Sequence, residues 1–155
     1  MRKIIIYFII MFLIILIFAG VFTPILLFIQ NYSLYLIIHR LLGFTCHQIV
    51  ERCFYILNFP MGICCRCTGI YIGAILTLCF LFNKTKYITW KLILFILVLG
   101  LSEKGVEKFI LYTGNNLLRF ISGAFLGIGI ALIIINLLLF IDKFLKRRKG
   151  NEKNE

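Results

Sequence analysis

Residues 4–29 read IIIYFIIMFLIILIFAGVFTPILLFI, 26 consecutive positions without a charged side chain. A helix of that length is about 39 Å long at 1.5 Å per residue, more than a hydrocarbon core of about 30 Å requires. The run predicts a transmembrane helix, with Pro24 as the place for a kink. A secretory signal is the competing reading, because Met1-Arg2-Lys3 supplies a positive start. The apolar run is too long for that, and no small-residue cleavage site follows it.

Working outward, 62% of the 155 residues are hydrophobic and 15% charged, with a mean hydropathy of +1.04. Soluble domains carry roughly 45–50% apolar and about 25% charged residues, so water is excluded as the main solvent, and disorder with it. Further apolar runs cover residues 63–82, 87–103 and 116–141. The expected fold is all-α: one integral membrane domain over residues 1–145 with four transmembrane helices, then a basic, disordered tail at 146–155.

Seventeen Lys and Arg face six Asp and Glu, a formal charge of +11. In a membrane chain such an excess reads as orientation signal and contact with anionic lipid, not as a nucleic-acid surface. With the N-terminus, the 83–91 hairpin and the C-terminal tail on one side, eleven basic residues gather there and six fall opposite. The richer side is expected to be cytoplasmic, which puts both termini inside a cell membrane and the 30–62 and 102–115 connections outside. The first connection holds an apolar-rich stretch at 34–44, read as a short interfacial helix, and 106–112 is read as a second. His39 belongs to that interface and Asn136, deep in the fourth run, to an interhelical hydrogen bond.

Five of six cysteines fall between positions 46 and 67, and Cys46 is followed by His47. Pro60 and Gly62 interrupt what precedes Cys64-Cys65-Arg66-Cys67, so a helix starts near Cys64 with Cys64 and Cys67 on one face. A helix N-terminus and Arg66 both stabilise thiolate. Cys46, His47, Cys64 and Cys67 therefore form the expected ligand set for zinc or another soft divalent metal. The rival readings are a membrane thiol oxidoreductase cycling Cys64 and Cys67, with a quinone as electron partner, and a non-catalytic scaffold with structural cysteines. Cys79, inside the second run, reads as a buried apolar residue. The sequence alone assigns no reaction and does not decide whether the protein is an enzyme.

Three spaced motifs carry a resemblance. They are Cys46-His47-Gln48 with Arg52-x-Phe54, then Pro60 with Cys64-x-Arg66-Cys67-Thr68-Gly69-Ile70-Tyr71-x-Gly73, then Asn116-x-x-Arg119-x-x-Ser122-Gly123-x-x-x-Gly127. In these the chain resembles a family of small bacterial and archaeal membrane proteins, domain of unknown function 2085. The resemblance implies a multi-pass membrane protein and no established activity. Cys53 and Cys65 stand where that family more often has Ser or Ala, and Ser122 where Thr is usual. Cys53 and Cys65 are accordingly left out of the ligand set, as candidates for a local disulfide.

Arg66 and Arg119 sit near span ends, where a charge needs headgroups, a partner or a polar cavity. With Arg52 and Asn116 they read as a clamp suited to a phosphate or other small anion, or as ion-pair partners of Glu103 and Glu107. Gly69 and Gly73 in the second span, and Gly123 and Gly127 in the fourth, form small-residue stripes expected to pack against each other. Membrane lipids and a small ligand or ion are the expected partners.

Overall fold

Pro24 cannot donate to the carbonyl of Gly20 four residues earlier. The Thr23 hydroxyl donates to that carbonyl instead, at 2.7 Å, so no bare acceptor remains in apolar surroundings. The first helix, α1 (Arg2–Phe28), therefore continues through the proline. The computed structural model describes residues 2–81, 87–110 and 115–151, with the side chains at 104, 106–110 and 146–151 outside the description.

The chain turns at Gln30, whose φ is +58°, and Asn31 caps α2 (Tyr32–Gly43) by accepting from the Leu34 N–H at 3.3 Å. This is the helix expected at 34–44. A 3-10 turn at Val50–Arg52 leads into β1 (Cys53–Ile56), paired antiparallel with β2 (Phe59–Cys64) so that Cys53 faces Cys64. The all-α expectation is corrected here. Leu57 and Asn58 have φ of +53° and +64°, the conformation of a two-residue hairpin loop whose twist matches the strands. Cys53-Phe54-Tyr55-Ile56 has side chains suited to a pleated surface, and Pro60 and Gly62 disfavour helix.

Three helices follow: α3 (Cys65–Leu81), α4 (Trp90–Ile110) and α5 (Asn116–Asn151). Residues 63 and 64, assigned to the second span, are strand. Residues 106–110 continue α4, so no separate interfacial helix begins there, and 111–112 lie outside the described residues. The 83–86 part of the basic hairpin lies outside them too. Helix α5 carries on through 146–151, where a disordered tail was expected; 152–155 are not described.

The fold is thus mostly helical. Helix α1 and residues Asn116–Leu145 of α5 are long and apolar enough to cross a membrane, while α3, with 17 residues, is shorter. Large apolar side chains such as Ile4, Phe8, Phe18, Phe80, Leu94 and Phe140 stand exposed on the outside, an arrangement that lipid tolerates and water does not.

Glycines set the helix contacts. A Cβ on Gly69 would run into the Phe120 carbonyl and one on Gly73 into that of Ala124; reciprocally, Gly123 meets Arg66 O and Gly127 meets Ile70 O. These pairs ascend together, so α3 and α5 run parallel in close backbone contact. Gly100 lies against Leu126 and Gly129 against Leu97, which makes α4 antiparallel to α5. Gly20 of α1 receives the Ile63 side chain, and Ile6 packs in a cluster with Leu78 and Leu139, so α1 runs antiparallel to α3. Cys79 is exposed, contrary to expectation, because it lies on the face of α3 turned away from α5. Asn136, 3% exposed, accepts from the Ile88 N–H at 3.0 Å and donates to the Ile88 carbonyl at 2.9 Å, fastening the entry to α4.

Candidate metal centre

Cys46 leaves α2 by a tight turn in which its N–H and the Thr45 hydroxyl both donate to the Leu42 carbonyl, each at 3.0 Å. Gln48 then takes a left-handed φ of +51°, uncommon for a residue with a Cβ. Its N–H points back to Cys46 Sγ at 3.4 Å, and the Cys64 N–H reaches the same sulfur at 3.2 Å. The Gln48 side chain holds the turn in place by donating to His39 O at 2.8 Å and Gly62 O at 3.0 Å. One glutamine thereby ties α2, the cysteine turn and β2 together.

Cys64 is the last residue of β2 and directly precedes α3. Its carbonyl accepts from the Thr68 hydroxyl at 3.1 Å. Its thiol is held well below the usual range, first by hydrogen bonds from the Cys46 and Cys67 thiols and then by the backbone N–H groups of Cys67 and Arg66. Cys46 is pushed up, chiefly because it donates its proton toward Cys64. Cys53 lies outside this exchange: burial raises its thiol to about 12, and it donates to Ile49 O at 3.2 Å.

The ligand atoms of Cys46, Cys64 and Cys67 all lie within 4.8 Å of one another. Sulfurs around a tetrahedral zinc with bonds of about 2.3 Å stand about 3.8 Å apart, so a small inward movement closes the triangle. The N–H bonds to Cys46 and Cys64 are the outer support that metal thiolates use to hold charge and direction. His47 was expected as a fourth ligand, and its ring nitrogens fall outside this three-sulfur group. His47 instead lines an adjoining pocket of about 300 Å³ with Arg52, Cys64, Arg66, Cys67 and Arg119. All six cysteines are free thiols here, Cys53 and Cys65 included.

The second half of the site is electrostatic. Arg66 pairs with Glu103 of α4, Arg119 Nε stands 3.9 Å from the same carboxylate, and the Ser122 hydroxyl donates to it at 3.3 Å. Asn116 accepts from Arg119 at 3.1 Å and donates to the Cys53 carbonyl at 3.3 Å. Glu103 therefore fastens the end of α4 to the starts of α3 and α5. Glu107, the other expected partner, lies among the side chains that are not described.

A family described as "Predicted membrane protein (DUF2085)" matches residues 46–134, more than half of the chain. The chain belongs to this family. The segment that defines this DUF2085 member begins at Cys46 and contains every residue of the centre, while α1 and α2 precede it. An uncharacterised protein of Methanothermobacter thermautotrophicus is 34% identical over 93 residues, which cover 58% of this chain and 84% of the relative. An uncharacterised protein of Methanocaldococcus jannaschii is 28% identical over 117 residues, covering 72% and 74% respectively. No solved structure matches.

In this DUF2085 chain no residue type signals the role of Gln48, although it stands in the Cys46-His47-Gln48 motif. Its function depends on a positive φ that no local residue signals. Thr23 and Thr45 were missed for a similar reason: each satisfies a carbonyl that the turn or the proline leaves open.

Proposed function

We propose that this DUF2085 protein is a four-span membrane protein that binds one soft divalent metal, with zinc the best chemical fit, at the extracytoplasmic end of its helices. The observation that carries the metal reading is the mutual approach of the Cys46, Cys64 and Cys67 sulfurs to within 4.8 Å. Three protein ligands leave a fourth position free, the pattern of zinc sites that act on a ligand; closed structural sites use four.

The four-span reading rests on alternation. Helices α1 and α4 run one way and α3 and α5 the other, as a chain crossing four times requires. Arg2 at the start of α1 stands 3.9 Å from Asp142 late in α5, which supports both termini at one end. That end carries the larger share of basic residues, so the positive-inside rule makes it cytoplasmic. The cysteine centre and the Glu103 cluster then lie at the opposite end.

Elemental analysis of detergent-purified protein, with thiol titration on the same sample, tests the metal. One metal per chain is expected, lost in Cys46→Ser, Cys64→Ser or Cys67→Ser and retained in Cys65→Ser and His47→Ala. A parent protein without metal after reducing, metal-replete purification refutes coordination; a reducible Cys64–Cys67 disulfide in its place would favour thiol exchange.

A further inference from the structure

Cys64 and Cys67 form part of the wall of the 300 Å³ pocket, and Cys46 does not. Cys46 is 4% exposed and backed by the Gln48 and Cys64 N–H groups. A cation among the three sulfurs therefore has packed protein on the Cys46 side and open space on the other. The same pocket is also lined by three arginines, Arg52 of the 3-10 turn, Arg66 of α3 and Arg119 of α5.

Arg66 is steadied by Glu103, and Arg119 by Asn116 and Glu103. Their forks are held in place, and Arg119 is only 7% exposed. A guanidinium matches planar or tetrahedral oxyanions through paired N–H bonds. A single fork satisfies a carboxylate, whereas three forks arriving from three elements suit an anion with three or more oxygens. The volume lies at the small end of the range for ligand pockets.

We propose that this pocket binds a small phosphate-class oxyanion, held by Arg52, Arg66 and Arg119, with one oxygen at the metal's fourth position. The oxygen–metal contact rests on the metal reading above, whereas the arginine cradle does not. The phosphate can be free in solution or the headgroup of an anionic lipid; the chemistry recognised is the same.

The test uses the full chain loaded with cobalt(II) in maltoside micelles, which carry no phosphate. Inorganic phosphate is expected to shift the visible cobalt bands saturably. Arg52→Gln should weaken that titration at least tenfold with metal content unchanged, Arg52→Lys should fall between, and Arg40→Gln on exposed α2 should match the parent. A second arm adds anionic phospholipid: bands that move with lipid and no further with phosphate assign the headgroup as source. Bands that move with free phosphate alone assign a soluble anion. If cobalt binds and neither phosphate nor lipid moves its bands, or if Arg52→Gln titrates like the parent, the proposal falls while the metal reading stands. If the parent takes up no cobalt, calorimetry with phosphate separates the two ideas. Heat that disappears in Arg52→Gln keeps the cradle without the metal contact, and no heat overturns both.

Discussion

Alanine placed at three helical glycines should give three different signs of stability change. At Gly105 in α4 an added Cβ meets nothing within 4 Å among the described residues. Gly105→Ala should gain the helix-propensity difference of about 0.8–1.0 kcal/mol. At Gly129 the Cβ meets Leu97 Cδ2 at 2.6 Å, a side-chain end that can turn aside, so gain and repacking should nearly cancel. At Gly127 the Cβ meets the Ile70 carbonyl and then its backbone carbon at 2.8 Å, and backbone cannot turn aside. Overpacking costs about 1–3 kcal/mol, and with rigid neighbours the upper end applies, leaving Gly127→Ala about 2 kcal/mol less stable than the parent. The span from Gly105→Ala to Gly127→Ala is then about 3 kcal/mol, a factor of more than 100 in the folding equilibrium. Reversible unfolding from maltoside into dodecyl sulfate, followed by helical circular dichroism, measures it. A Gly127→Ala protein as stable as Gly105→Ala would refute the α3–α5 backbone contact.

Glu103→Gln should lower stability by about 3 kcal/mol, the lower end for breaking a buried pair, because it leaves buried Arg119 and half-buried Arg66 without their shared carboxylate; adding Arg66→Gln should recover part of the loss in the same unfolding titration. Asn136→Leu removes two hydrogen bonds to Ile88 and should lose about 1–2 kcal/mol, given about 0.6 kcal/mol per membrane hydrogen bond and a maximum near 1.7. A reporter active only in the cytoplasm should work when fused after Lys149 and be silent in the 54–60 loop. The reverse pattern would move the cysteine centre to the cytoplasmic side, where stable disulfides are rare.

The helices were legible because lipid imposes a long, uninterrupted apolar signal that needs no partner to be read. Helix α1 and the apolar part of α5 satisfy it alone. Helix α3 is shorter, and its start was misplaced by two residues because Ile63 and Cys64 are as apolar as the helix they precede. The hairpin was harder still. Its strands hold four and six residues, and its turn depends on two residues with side chains taking positive φ. The three-cysteine set could be read from spacing, since Cys64-x-x-Cys67 at a helix start brings two sulfurs together and only one more is needed. What spacing could not convey is the place of His47: an adjacent Cys-His pair offers two donors, but the Gln48 turn aims the Cys46 sulfur inward and leaves His47 outside the sulfur group, among the residues of the pocket wall.

Charge explains why the two halves of the centre belong together. With the proposed divalent cation bound, three thiolates would leave a net negative site, and an uncompensated charge at a low-dielectric boundary is unfavourable. Arg66 sits within the Cys64–Cys67 turn, and Arg119 is brought beside it by the glycine contact of α3 with α5. Both arginines would in turn be unfavourable there without Glu103, which α4 delivers from the opposite chain direction. The parallel pairing of α3 and α5 is thus more than packing. It fixes the distance between the three sulfurs and the two arginines, so a substitution such as Gly127→Ala, remote from every sulfur, should weaken the proposed metal binding as well as helix association.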